Sequence, residues 1–261
     1  MNDTMQAYVI SLASTPWRLD AFMRNNAGLG IEFLRYEAVD GARIDRDALY
    51  AAGVLEDRDI DITDTAIGCA LSHMALWQIA RDENRIVTIC EDDAVLRGDF
   101  ASVYAREVAA NPEFDTLHWG FNFDTHACYA IPGYGECVFL SDERQLRGEQ
   151  VAQTFRAGRH PVHLYRAVRF HGLPCYTVSP AGADKLLKLC RPLRKFRADF
   201  EMPNGYGGVS NLYFWMAGID SFCLQDLARL NAWVTIPPLA ITPNDKMLST
   251  INRHEYRQIS T

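Results

Sequence analysis

Three consecutive carboxylates, Glu91-Asp92-Asp93, are the residues of this sequence best placed to do chemistry, because they directly follow the mainly apolar run 86–90. An apolar, β-branched run without alternation is typical of a strand covered on both faces. Side chains at i and i+2 of a strand point the same way, so Glu91 and Asp93 are expected to converge while Asp92 faces away. Such a pair suits Mg²⁺ or Mn²⁺, which proteins hold with one or two carboxylates plus substrate phosphates. The pattern indicates a metal site in a nucleotide-dependent enzyme; the alternative is a solvated acidic turn.

The elements before this strand are expected to place further polar groups near it. A strand at 6–12 precedes Ser14-Thr15-Pro16, a helix-start signal, and Arg18 lies in the first turn of that helix. Open α/β sheets bind nucleotides at this point, although a surface arginine would fit the same pattern. A second strand at 33–39 ends at the turn dipeptide Asp40-Gly41. Asp40 could meet a ribose or base, and turn chemistry explains it equally well.

A helix predicted over 66–83 leads directly into the carboxylate strand. Gly68 marks a close backbone approach, because glycine lowers helix stability by roughly 1 kcal/mol without such a reason. His73 is either a hydrogen-bonded structural residue or part of the site. Strands and helices alternate here, which predicts βαβ units and an α/β fold with a mainly parallel central sheet.

Secondary-structure patterns are weaker in the second half of the sequence. Regular patterns fade over 121–172, where many aromatic residues favour a loop system that binds an acceptor. A helix is predicted over 209–217, and Asp220 and Asp226 are acids near a last strand at 232–236, where a general base could lie. Six basic residues between 185 and 197 are predicted to contact anionic lipid headgroups or a phosphorylated acceptor.

Composition narrows the class of protein. A chain of 261 residues, 48% of them hydrophobic, is long enough for one large domain. The formal net charge of −7 argues against a nucleic-acid binder. Seven cysteines without a C-x-x-C pair indicate neither zinc nor disulfides, and reduced thiols fit the cytoplasm. With no signal peptide or long apolar segment, we expect a cytoplasmic protein whose membrane contact is peripheral, at the inner face.

Several short segments occur in a characteristic order. They are Val9-Ile10-Ser11-Leu12 with Arg18, Ala38-Val39-Asp40-Gly41, Ile67-Gly68-Cys69-Ala70-Leu71-Ser72-His73 with Trp77, Glu91-Asp92-Asp93, Tyr176-Thr177-Val178-Ser179-Pro180, Pro237-Pro238-Leu239 and Ser249-Thr250-Ile251. In this order they resemble glycosyltransferase family 25, the bacterial lipooligosaccharide and collagen hydroxylysine galactosyltransferases. The G-x-x-x-S-H helix ahead of E-D-D is the most specific part of a resemblance that covers most of the chain.

The resemblance implies a GT-A fold, a UDP-sugar donor, usually UDP-galactose, and inversion at the anomeric carbon. Glu91 and Asp93 then occupy the metal position, with Asp92 in the same motif. Asp220 is the leading candidate for the general base and Asp226 the second. The residues expected to bind the donor are Ser11, Leu12, Arg18, Asp40, Gly41, Gly68, Ser72, His73 and Asp92.

The predicted protein is therefore a metal-dependent, inverting hexosyltransferase that acts on a lipooligosaccharide or related surface glycan. A single domain over 1–261 would bind the nucleotide-sugar with about residues 1–120 and the acceptor with about 121–261. Two alternatives remain at this point: transfer to a protein or peptide side chain, and a non-catalytic module that binds a sugar nucleotide. A phosphohydrolase is weaker, because the further Asp and His motifs of a two-metal site are missing.

Overall fold

The computed structural model describes residues 4–123, 126–141, 149–203, 208–216, 218–221 and 227–242. Its strands are β1 (Met5–Ser11), β2 (Ile31–Glu37), β3 (Val87–Glu91), β4 (Val95–Leu96), β5 (Thr116–His118), β6 (Ala127–Ile131), β7 (Gly135–Phe139), β8 (His163–Arg169), β9 (Cys175–Val178), β10 (Phe196–Pro203), β11 (Val209–Met216), β12 (Ala232–Ile236) and β13 (Ala240–Ile241). Its α-helices are α1 (Pro16–Asn25), α2 (Arg46–Ala51), α3 (Asp64–Asp82), α4 (Phe100–Ala110), α5 (Glu149–Ala157) and α6 (Pro180–Cys190).

A nine-stranded sheet forms the centre, in the order β2-β1-β3-β9-β5-β12-β8-β6-β7. The predicted α/β class is confirmed, but the prediction of a mainly parallel sheet is wrong. Only β1–β2, β1–β3 and β5–β12 pair in parallel within the described sheet. The reason is that β9 inserts antiparallel between β3 and β5, and β8, β6 and β7 extend the sheet by antiparallel pairing.

Helices cover both faces of the sheet. On one face α3 and α6 pack together, and their buried Trp77 and Leu186 share a core with Ile89 of β3. On the other face, Phe22 of α1 and Phe100 of α4 belong to a second hydrophobic core. Because neighbouring residues of a strand point to opposite faces, β3 is buried on both sides, as its apolar sequence predicted.

The helices largely begin where the sequence signals predicted. Thr63 caps α3, accepting a hydrogen bond from the backbone N–H of Ala66 at 3.2 Å. Pro16 begins α1 as predicted, but Thr15 makes no side-chain cap bond. Because the cap hydroxyl is not used within the helix, Thr15 keeps its hydrogen-bonding capacity for another partner.

Two predictions for the second half are wrong. The stretch 121–172 is not a loop system, since it contains β6, β7, α5 and β8. The helix predicted over 209–217 is instead β11, which pairs antiparallel with β10 along eight residues. The sequence of β11 is rich in aromatic residues, which favour strands, and pairing with β10 supplies the hydrogen bonds of a hairpin.

Acidic partners, two of them distant in sequence and two local, accompany the basic cluster at 185–197. Lys185 lies 2.6 Å from Asp115, and Lys195 pairs with Asp61. Lys188 pairs with Asp184 and Arg197 with Asp199, at 2.5 and 2.6 Å. These pairs reduce the positive charge that the cluster offers, so its contact with an anionic membrane stays a prediction. None of the helices in the described ranges has the length and apolar character needed to span a bilayer.

Candidate active site

Glu91 is the last residue of β3, and the chain turns immediately after it. Asp92 and Asp93 lie in that turn, which the Ala94 N–H closes by donating to the Glu91 carbonyl at 3.1 Å. The alternation expected of an extended strand therefore stops at Glu91. The prediction that Asp92 faces away from Asp93 is wrong, because both carboxylates contact Arg18.

Asp92 forms the anchor of this turn. Arg18 at the start of α1 lies 2.6 Å from one oxygen of Asp92, and Ser11 at the end of β1 donates to the other at 2.9 Å. Arg18 also reaches Asp93 at a longer 3.4 Å. Asp92 is buried, and a buried carboxylate needs such donors to stay ionised. Ser11, Arg18 and Asp92 thus tie three elements together, and their predicted contacts with the donor remain a prediction.

Asp93 is less closely compensated than Asp92, because Arg18 lies 3.4 Å from it instead of 2.6 Å and Glu91 adds a like charge nearby. Burial, and next the charge of Glu91, raise the pKa of Asp93 to about 6. One oxygen of Asp93, Oδ1, is buried without a hydrogen-bond partner. Two carboxylates that repel each other beside an unsatisfied oxygen suit a divalent cation. The described residues contain no group of three or more His, Cys, Asp or Glu placed to hold a metal, so the pair fits an ion that substrate phosphates also coordinate.

Asp220 is brought to the same region. The pKa of the Cys69 thiol on α3 is raised well above its usual value, first by burial and then by the charges of Glu91, Asp220, Asp93 and Asp92. Asp220 thus acts on the same thiol as the acidic turn. Its two carboxylate oxygens accept hydrogen bonds from the backbone N–H groups of Ser221 and Gly172, at 2.8 and 3.0 Å. Asp226 and the segment 249–251 lie outside the described residues.

His73 reaches the acidic turn from α3. Its Nε2 lies 3.6 Å from Glu91 Oε1, and its Nδ1 lies 2.8 Å from the hydroxyl of Tyr176. Cys69 lies one turn earlier on the same helix face, because residues at i and i+4 are neighbours. Sequence reasoning missed Cys69 and Tyr176 as parts of the site. The spacing from His73 could have identified Cys69, but no local signal marks Tyr176, which comes from β9.

Three more donor-binding candidates, Gly41, Gly68 and Ser72, lie where α3 packs against the loop after β2. A Cβ on Gly68 would lie 2.5 Å from the Val39 carbonyl, and one on Gly41 would lie 2.7 Å from the Thr65 backbone. Ser72 accepts from the Val39 N–H at 2.9 Å and donates to the Gly68 carbonyl at 2.7 Å.

Two further candidates have local backbone contacts. Asp40 accepts the Ala42 N–H at 3.0 Å, and the Leu12 carbonyl accepts that of Thr15 at 3.2 Å. The contacts described for these five donor-binding candidates are packing and backbone contacts. Their part in donor binding stays a prediction.

Buried polar atoms without a partner collect around the ends of β1 and β3. Thr15 Oγ1, His73 Nε2 and Asp93 Oδ1 are three of them. Such atoms are costly to bury unpaired, so each is a candidate contact for a ligand. The cavities of about 430 and 700 Å³ lie elsewhere, beside Trp233 and Arg85 respectively. The site is therefore identified by its chemistry.

Comparisons with known proteins agree with this chemistry. The family model described as glycosyltransferase family 25 (LPS biosynthesis protein) matches residues 4–202. No curated protein matches the chain. Among solved structures, a mutant UDP-glucose pyrophosphorylase of Leishmania major in complex with UDP-glucose is similar at 10% identity and a TM-score of 0.30. The match covers 88% of this chain but only 62% of that one, and a likeness this loose identifies no shared fold. The family match extends over most of the sequence, and the chain therefore belongs to glycosyltransferase family 25.

Proposed function

We propose that this protein is a GT-A-like, inverting hexosyltransferase that transfers a sugar from a UDP-sugar to a lipooligosaccharide or related surface glycan. Galactose is the sugar that the family resemblance favours. The observation that carries the proposal is the pair Glu91 and Asp93 at the end of β3, where a buried carboxylate oxygen has no partner. Family membership supplies the reaction class, and this pair supplies the place where a metal and a diphosphate would bind.

Glu91 and Asp93 would hold Mn²⁺ or Mg²⁺ together with the donor's phosphates. The ion supplies positive charge against the negative charge that the leaving UDP gains as the glycosidic bond breaks. Ser11 and Arg18 fix Asp92, and this keeps the turn that carries Asp93 in a single position. The acidic turn would thereby be preorganised before the donor binds.

Asp220 is the proposed general base. An inverting displacement requires removal of the proton from the acceptor hydroxyl as it attacks the anomeric carbon. The backbone N–H groups of Gly172 and Ser221 orient the Asp220 carboxylate, and Oδ2, which accepts from Gly172, retains a lone pair to accept a proton. Asp220 acts on the same Cys69 thiol as the acidic turn does, and this shared neighbour supports the assignment.

The test is release of UDP from a panel of UDP-sugars, with and without Mn²⁺, in the presence of lipooligosaccharide or peptide acceptors. Asp220→Asn should lower kcat by roughly 10²–10⁴-fold with little change in the KM for the donor. Asp93→Asn should weaken the response to Mn²⁺, while the exposed Asp59→Asn serves as the matched control. Transfer to peptides alone would change the acceptor class, and absence of both turnover and UDP binding would falsify the proposal.

A further inference from the structure

A cavity of about 430 Å³ lies between the end of α4 and the paired strands β8 and β12. Apolar and polar side chains line it together, among them Val162, Leu164, Glu107, Asn111, Arg166 and Trp233. Sites for small molecules have this size, and a few polar groups among apolar ones orient the ligand. The proposed transfer reaction uses none of these residues.

Arg166 and Trp233 form a fixed wall of this cavity. They lie directly opposite each other on β8 and β12, so they share a face of the sheet, and the guanidinium carbon is 5.5 Å from the centre of the indole ring. The side-chain oxygen of Asn231 accepts from both, at 2.6 Å from Arg166 and 3.0 Å from Trp233. Asp115 holds Asn231 in turn by accepting its backbone N–H at 2.7 Å. The wall is thus preorganised for a ligand.

Glu107 and Asn111 contribute acceptors to the lining from the end of α4. The side chain of Glu107 is only 12% exposed, and Arg106 pairs with its Oε1 at 2.6 Å, so Oε2 can accept from a ligand. Asn111 donates its side-chain N–H to the Glu107 carbonyl at 2.9 Å, and its side-chain oxygen can accept as well.

This lining selects a neutral ligand that is rich in hydroxyl groups. Arg166 donates to Asn231 and to the Leu230 carbonyl, and a guanidinium has five N–H groups, so it can donate further. Because a guanidinium only donates and a carboxylate only accepts, Arg166 disfavours a cationic ligand and Glu107 an anionic one. Hydroxyl groups suit both, since they donate and accept. The indole ring and the apolar side chains suit the C–H faces of a sugar.

The cavity is separate from the acidic turn. Trp233 pairs with Leu117, Leu117 with Thr177, and Thr177 with Thr88, so Trp233 is level with a residue three positions before Glu91 and three strands away from it. Strand spacing and rise per residue make this roughly 14 Å across the sheet and roughly 10 Å along it. A sugar in the cavity is therefore not the one that reacts.

We propose that this cavity is a second saccharide site, which binds a neutral sugar unit of the glycan acceptor at a distance from the reacting sugar. The inference rests on the proposed function for the source of that saccharide. An acceptor held at two points binds more tightly than its reacting sugar alone, because the second contact forms within the same complex.

The first measurement is a titration of the wild-type protein with the neutral oligosaccharides that removal of lipid and phosphate releases from lipooligosaccharide. The indole N–H of Trp233 reports on the cavity in nitrogen-15 NMR, and Trp233→Phe identifies its resonance as the one that is lost. This resonance should shift saturably with the oligosaccharides and stay unchanged with inorganic phosphate, which probes for an anion site. A response to phosphate alone, or to neither, would overturn the proposal.

Two substitutions test the polar contacts. Arg166→Met keeps the apolar stem of the side chain but removes its donors, and Glu107→Ala removes the carboxylate. Each should weaken oligosaccharide binding roughly 10-fold, because a hydrogen bond to a charged group is lost. The matched control is Arg85→Met, which should bind as wild type does. Arg85 also lies over an aromatic ring, 5.6 Å from the centre of Tyr8, beside the cavity of about 700 Å³.

A purely structural role gives a different result. If Arg166 only fixed the segment before β12, Arg166→Met would lower stability while the folded variants bound the oligosaccharides as wild type does. Equal affinity in Glu107→Ala would overturn the site even where Arg166→Met does not fold, because alanine is well tolerated within a helix.

UDP release separates this inference from the proposed function. Turnover with lipooligosaccharide, but no response of Trp233 to the oligosaccharides, would overturn the second site and leave the reaction intact. A saturable response in a protein that neither turns over nor binds UDP would support the saccharide site and exclude the proposed transferase reaction.

Discussion

Arg18 lies 2.6 Å from Asp92, and this ion pair joins the first turn of α1 to the turn that follows β3. The side chain of Asp92 is 9% exposed and that of Arg18 is 19% exposed. Two charges removed from water in this way depend on each other, because each loses a close counter-charge when the other is removed. Within the motif Glu91-Asp92-Asp93, Asp92 is therefore the residue that fixes the turn, and Glu91 and Asp93 remain the proposed ligands of a metal.

Asp92→Asn should lower the free energy of unfolding by about 2 kcal/mol, because Arg18 would lose its closest counter-charge. Urea denaturation at pH 7.5 measures this. The control is Asp59→Asn, which removes an exposed partner of Arg58 and should leave stability unchanged within error. Equal effects of the two substitutions would contradict the anchoring role of Asp92.

Asp93→Asn should stabilise the metal-free protein. The pKa of Asp93 is about 6 in the folded state and near 3.8 when unfolded, so the folded state holds an extra proton between these values. The contribution of Asp93 to the free energy of unfolding therefore falls as pH rises from about 3.8 to about 6. Above pH 6 the ionised Asp93 destabilises the folded state by its full amount. Because the side chain is 35% exposed, we expect a gain of only about 1 kcal/mol at pH 7.5 and none near pH 3.5.

Thermal unfolding of the metal-free Asp93→Asn variant at both pH values would measure that gain. The same variant should bind Mn²⁺ with UDP more weakly than wild type does. A variant that is less stable than wild type at pH 7.5 would show that Asp93 contributes more through Arg18 than it costs through Glu91.

Gly68→Ala should destabilise the protein by about 1–3 kcal/mol, because the new Cβ would lie 2.5 Å from the Val39 carbonyl. In an unobstructed helix the same change stabilises by roughly 1 kcal/mol, so the sign of the effect is informative. Denaturant unfolding measures it, with Gln78→Ala on the same helix as the control. A stabilised Gly68→Ala variant would rule out the close packing of α3 on the loop after β2.

His118 should make the protein labile to mild acid. Burial lowers its pKa to about 3, whereas the unfolded value is near 6.5. The unfolded state therefore binds a proton first as pH falls, and stability present above pH 6.5 is lost below it. The loss from this one residue between pH 6.5 and pH 5 should be about 1.5 kcal/mol.

The slope of unfolding free energy against pH measures this loss. His118→Phe should flatten the slope, and the exposed His160→Phe should leave it as in wild type. Some slope will remain in His118→Phe, because burial also lowers the pKa of His126, to about 4. An unchanged slope in His118→Phe would contradict the neutral, buried state of this histidine.

Local patterns were sufficient where neighbours in sequence decide the structure. The apolar run before Glu91 became β3, Thr63 became the cap of α3, and Pro16 began α1. Each depends on backbone geometry within a few residues. The resemblance to glycosyltransferase family 25 rested on motifs of the same local kind, and the family match confirms it.

Predictions failed where distant segments decide the structure. The prediction of a helix over 209–217 gave way to β11, because pairing with β10 outweighs the local signal. The sheet is not mainly parallel, because β9 enters antiparallel between β3 and β5, and its residues come 85 to 91 positions after those they pair with in β3. Periodicity reports which face of an element is buried, but it contains no information about which strand lies beside it.

The sequence by itself determined that Glu91, Asp92 and Asp93 come at the end of a buried strand, and it placed the chain in glycosyltransferase family 25. Only the tertiary structure decided how those three acids divide their tasks. Arg18 takes Asp92 as its partner, while His73 approaches Glu91 from α3. The physical reason is that a carboxylate's role depends on the charges and donors around it, and folding brings these from segments far apart in the chain.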